Sequence, residues 1–222
     1  MVDPSLYAAF LAAAFALCVA PGPDMMFIVA MGGRGGPVTG VLAALGVAAG
    51  ALVHAVSAAL GLSALFTTLP VLYHVLRWLG AAYLLYLAVK AFRDRSPLAT
   101  EEDVTAASAS ASASASGPSG PGRRRAFWQG AVTNLLNPKM ILFNVAFLPQ
   151  FVNPALGHVS WQLLLLGLTL VLMGLTVDTT IGLLSGRLSS ALRGSRRVAR
   201  GLDIFSGTVF TGLAVRLVAA PK

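Results

Sequence analysis

Six long apolar windows dominate the pattern of this chain: Leu6 to Met31, Val38 to Leu65, Val71 to Phe92, Phe127 to Phe151, Val159 to Leu184, and Leu202 to Ala219. An α-helix crosses the hydrocarbon core with about 20 mostly apolar residues, so each window predicts one transmembrane helix. The windows at Val38 and Val159 are long enough to tilt or to extend into the interface. Two windows are interrupted. Pro21-Gly22-Pro23-Asp24 breaks the first and Asn137-Pro138-Lys139 breaks the fourth, and each break sets an ionisable side chain inside an apolar stretch.

One segment has no membrane pattern. Arg93 to Arg125 carries Glu101, Glu102 and Asp103, an Ala-Ser alternation through Ser116, and a Gly-Pro-rich stretch up to Gly122. It has too little apolar surface to offset the entropy of ordering it, and it reads as a flexible linker. The chain therefore divides into a three-helix half over 1–92, a linker over 93–126, and a second three-helix half over 127–222. Halves with an odd number of spans cross the membrane in opposite senses. The expected fold is an all-α membrane protein of six transmembrane helices in two inverted three-helix repeats, the first helix of each half broken at proline.

Composition agrees. The 222 residues are 56% hydrophobic and 11% charged, where a soluble domain carries about a quarter charged residues. A net charge of +8 suggests nucleic acid in a soluble protein, but here Lys and Arg cluster between the apolar windows, as topology signals do. Twelve of the sixteen basic residues fall in the first, third and fifth connections. The positive-inside rule then puts the linker in the cytoplasm and both termini outside. No basic residue precedes the first window, which reads as a retained span rather than a secretory signal. The single cysteine, Cys18, excludes an internal disulfide and reads as a packing residue.

The breaks are the candidate chemistry. Proline lacks a backbone donor and displaces the carbonyl four residues earlier, so Pro21 and Pro23 should free the carbonyls of Leu17 and Val19, and Pro138 that of Asn134. Gly22 should let the chain leave helical geometry. Helices restarting near Asp24 and Lys139 would aim positive N-terminal ends at a substrate carboxylate, while Asp24 and the freed carbonyls would take an ammonium group. That set suits a zwitterion such as an amino acid. Asp24 and Lys139 equally suit a plain structural ion pair. Asn134 and Asn137 would line the break. Asp178, near Thr176, Thr179 and Thr180, and His54, on one face with Gly46 and Gly50, are candidates for a proton relay. Against that, Asp178 suits pairing with Arg187 or another basic residue near the cytoplasmic interface, and His54 suits hydrogen-bonded packing. Trp78, Tyr83, Tyr86 and Trp161 fit interfacial anchoring. Small-residue faces around Gly46, Gly50 and Gly80 suit a homodimer contact. Nothing in the sequence calls for a metal or a cofactor.

At these residues the chain resembles the LysE/RhtB family of amino-acid exporters. The matching elements are Pro21-Gly22-Pro23-Asp24; Gly40, Gly46, Gly50 and His54; Gly80 to Leu84; Phe127, Gly130 and Asn134 to Lys139; and Leu148 to Val152. The resemblance covers nearly the whole chain except the Ala-Ser linker. It implies a transporter, not an enzyme, that exports amino acids or close derivatives from the bacterial cytoplasm across the plasma membrane, driven by protons. It leaves the substrate open and offers no motif for Asp178. Two rivals remain. A divalent-cation exporter would want several carboxylate, His or thiolate ligands on one cavity, and a membrane-embedded thiol redox protein needs two thiols.

If the linker is only a tether, deleting residues 104 to 122 leaves transport per molecule at the full-length level; loss of activity in a well-expressed deletion would reveal a regulatory element.

Overall fold

The computed structural model describes residues 2–68, 70–93, 122–194 and 196–219, with side chains outside 62–74 and 189–199. Most of the expected linker lies outside the described residues. Its last residues, Arg123 to Ala126, belong instead to a helix.

Among the described residues eight α-helices follow in order: α1 (Pro4–Val19), α2 (Pro23–Gly35), α3 (Pro37–Thr68), α4 (Pro70–Arg93), α5 (Arg123–Leu135), α6 (Pro138–Leu142), α7 (Val159–Gly194) and α8 (Arg196–Ala219). Five of them, α1 to α4 and α6, start on proline. A missing N–H costs nothing at the first helical position, and the fixed φ is already helical. Helices α3, α4, α7 and α8 are each long and apolar enough to cross a membrane. The pairs α1–α2 and α5 with Pro138–Phe151 bend by 47° and 49°, which gives six spans if each pair counts as one.

The expected fifth span ends ten residues early: α7 runs on to Gly194. The fourth differs more. After α6 the backbone widens into a π-helix over Phe143–Phe147 and tightens into a 3-10 turn over Leu148–Phe151. Pro149 cannot donate one turn back, and the Gln150 amide takes up the Ala146 carbonyl at 3.3 Å.

Helix α3 is central, packed along α5, α7 and α2, while α4 pairs with α8. Close backbone approach sets the first group of crossings. A Cβ on Gly46 would fall on the Phe127 carbonyl and one on Gly130 on the Ala43 carbonyl, while one on Gly40 would lie 2.7 Å from the Gly182 carbonyl oxygen. Gly50 meets Ala131 and Asn134, and Gly80 meets Ala146. The faces expected to serve a dimer are thus covered by the chain itself. The α4–α8 pair is antiparallel and reciprocally capped. Arg77 of α4 donates to the carbonyls of Leu217 and Val218 at 2.7 and 3.0 Å, and Arg200 of α8 donates to that of Phe92 at 2.8 Å. Each guanidinium satisfies the terminal carbonyls of the other helix.

Two apolar clusters result. One is aromatic, built on Phe10, Phe143, Phe147 and Phe151 with leucines of α7 and α8; the other is small, with Ile28, Met31, Ala43, Ala44, Val47 and Ala126. At the N-terminus Asp3 caps α1 and accepts from Asn153 at 3.3 Å. The Ser5 hydroxyl, with the Leu6 N–H and the Asn153 amide, holds its carboxyl below the usual carboxylate range. Trp78, Tyr86 and Trp161 point outward, as anchors do.

Gly46→Val should lower stability by about 1–3 kcal/mol through overpacking at α5. Gly61→Ala, with open space around it, should be neutral or stabilising, and thermal unfolding in detergent compares the two.

Candidate functional site

The two breaks meet inside the helix bundle. Between α1 and α2 the chain is extended: Ala20 has φ −65° and ψ 117°, and Gly22 has φ −161° and ψ −177°. Between α5 and α6 only Leu136 and Asn137 intervene. Asn137 is extended and its side-chain oxygen accepts from the Lys139 N–H at 3.0 Å. The N-terminus of α6 is therefore already capped, and α6 is five residues long. Of the two helix starts expected to face a substrate carboxylate, only that of α2 lacks a side-chain cap.

Each break satisfies the other. Asp24 Oδ2 accepts from Asn134 Nδ2 at 2.9 Å and from Asn137 Nδ2 at 2.8 Å. Lys139 reaches the opposite way, its Nζ donating to the carbonyls of Ala20 at 3.2 Å and Leu17 at 3.4 Å. Leu17 was expected to lose its helical donor to Pro21; the second carbonyl is that of Ala20 rather than Val19, because the chain turns extended after Val19. The carbonyl freed by Pro138, on Asn134, faces His54 Nε2 at 3.3 Å.

The two charges are solvated separately. Asp24 and Lys139 are each only 7% exposed. Asp24 Oδ1 is buried with no hydrogen-bonding partner, as is Asn134 Oδ1. The ammonium sits on neutral carbonyls and the carboxylate on neutral amides, so the structural ion pair weighed from the sequence does not form a hydrogen bond. Gly22 also needs a different explanation. Its φ is extended backbone that any residue adopts; what requires glycine is space, since a Cβ there would lie 3.0 Å from Lys139 Nζ.

A partly open cavity lies beside the breaks. Asp24, Asn134 and Lys139 line it, together with Cys18 and Asp178. Cys18 packs against the aromatic cluster, as read from the sequence, and also lines the cavity. Asp178 is in the cavity wall. The hydroxyls of Thr176 and Thr180 donate to carbonyls one turn back, at Leu172 and Thr176. His54 is not among the lining residues, nor are Pro21, Gly22, Pro23, Asn137 and Pro138, which shape the breaks. The rest of the wall is apolar, with Val47 and Ala51 of α3 facing Leu170, Val171 and Leu175 of α7. Sequence reading missed this wall because apolar residues there look like any lipid-facing stretch. Among the described residues, no three of His, Cys, Asp and Glu gather as metal ligands would.

Residues 15–220 match the family model described as LysE type translocator. The chain belongs to the LysE type translocator family. Similar proteins include an uncharacterized membrane protein of Pseudomonas aeruginosa, 32% identical over 90% of this chain and 88% of its own. A leucine efflux protein of an Enterobacter strain is 31% identical over 95% and 93%, and an uncharacterized membrane protein of Bacillus subtilis 34% identical over 74% and 76%. No solved structure matches. The protein is thus a multi-pass membrane translocator rather than an enzyme.

Gly22→Val in this translocator should push the Lys139 ammonium off its carbonyls. Losing charge-assisted hydrogen bonds worth about 1.5–3 kcal/mol each should lower the melting temperature and cut initial transport rates, read per molecule in vesicles.

Proposed function

We propose that this protein exports amino acids or close derivatives across the bacterial cytoplasmic membrane, exchanging them for protons by alternating access. What supports it is the pair of separately solvated charges, Asp24 and Lys139, beside one cavity between two helix breaks. An ammonium group finds the carboxylates of the cavity wall, and a carboxylate finds Lys139 and the uncapped start of α2. A bound zwitterion thus adds a close ionic partner to each buried charge. The apolar wall suits an aliphatic side chain, and relatives named leucine efflux protein support the same class.

The two halves act as inverted repeats, each contributing one broken helix. The similar bends of 47° and 49° and the reciprocal Arg77 and Arg200 caps support that symmetry. The basic connections put the linker in the cytoplasm and both termini outside. The bilayer and the proton are the other partners.

The test loads proteoliposomes with labelled amino acids and follows efflux with and without a pH gradient. Leucine or a related neutral amino acid should leave several-fold faster than from empty vesicles, and Asp24→Asn should return the rate to background while the protein stays folded. Movement of cadmium with no amino acid moving would overturn the proposal in favour of cation export.

A further inference from the structure

The cavity wall holds two carboxylates and one ammonium. Asp24 is the better buried carboxylate: one oxygen is bound by two amides and the other is sealed from solvent. Asp178 is different. It is half-buried, lines the cavity, and among the described residues makes no hydrogen bond or ion pair. Its oxygens are not sealed, since it is absent from the buried unpartnered atoms that include Asp24 Oδ1. It lies in the candidate span Val159–Leu188, about 7 Å from that helix's midpoint at 1.5 Å per residue.

An ionised carboxylate in an apolar wall needs a cation close by. The titratable groups that face Asp178 are Cys18 of α1, Asp24 of α2 and Lys139 of α6; α3, α5 and α8 place none in the wall. Lys139 is the single cation among them, and it is turned to the carbonyls of the first break. No described residue donates a hydrogen bond to Asp178, which leaves its carboxyl open to a bound cation or a proton from the cavity.

We infer that Asp178 is the coupling residue: its carboxylate takes the substrate's ammonium when the cavity is loaded and a proton when it is empty. Substrate and proton then exclude each other at one group, which is what exchange requires. The substrate class follows. An amino acid whose single cation is its α-ammonium displaces one proton per molecule, while Asp24 keeps the breaks joined and supplies the second oxygen ligand. The inference rests on the amino-acid reading of this same site.

The experiment measures leucine affinity of the full-length protein in detergent across pH, with proton release followed by an indicator dye in weak buffer. In the wild type, affinity should weaken as pH falls, approaching about tenfold per pH unit for one competing proton, and leucine should release protons. Asp178→Asn should bind leucine more weakly, with affinity independent of pH and no proton release. Asp178→Glu should keep the slope. Asp24→Asn should lower affinity at every pH and keep the slope. The inference is overturned if Asp178→Asn keeps the wild-type slope, if Asp24→Asn is the variant that loses it, or if Asp178 is needed only for lysine or arginine. A ligand-free readout separates its failure from that of the function: the infrared carbonyl band of a protonated carboxyl, present in the empty wild type and missing from Asp178→Asn. That band without amino-acid binding would sink the transport reading alone, and its persistence in Asp178→Asn would sink the inference alone.

Discussion

Hydrocarbon offers no hydrogen bonds, so a helix interrupted inside a membrane must have its loose backbone groups satisfied by other protein groups. Here each of two interruptions does this for the other. Lys139 from the second break bonds the carbonyls of Leu17 and Ala20 at the first. Asp24 from the first binds the amides of Asn134 and Asn137 at the second. His54 of the central helix meets the Asn134 carbonyl. Leaving any of these groups bare would cost on the order of several kcal/mol, so the breaks hold one another in register.

The surrounding bundle serves that junction. Helix α3 lies against α5 and α7 through glycines whose missing side chains admit backbone to backbone, which brings Asn134 and Asp178 to the wall facing α3. Close packing of small residues and interhelical hydrogen bonds replace the hydrophobic drive that lipid cannot supply. On the other flank α4 and α8 cap each other's ends. The cavity touches both apolar clusters, with large rings in one and alanines in the other. Its polar groups are few and each has a distinct solvation: Asp24 on amides, Lys139 on carbonyls, Asp178 with no hydrogen bond from the described residues. That inequality is the basis for dividing substrate binding from proton exchange.

Much of the fold was legible. The apolar windows set the spans, because length and composition suffice to cross lipid, and the prolines marked where helices begin. Asp24 and Lys139 stood out because charges in apolar stretches are costly. The details of the breaks were less legible. Gly22 looked like a backbone requirement and is a space requirement, visible only once Lys139 is opposite it. Gly46, Gly50 and Gly80 looked available for a second copy and are used within the chain. The π-helix after α6 and the extra turns of α7 carry no periodic signal that separates them from ordinary helix.

The sequence by itself determined that this is a membrane protein with two proline breaks, each beside a buried charge, since those are properties of composition and local backbone chemistry. Only the tertiary structure decided who satisfies whom: that Asp24 and Lys139 bind neutral partners across the junction, that Cys18 and Asp178 share its cavity, and that Asp178 accepts no hydrogen bond from the described residues. Hydrogen bonds and solvation depend on atoms brought within about 3 Å, and residues more than a hundred positions apart meet only when the helices pack.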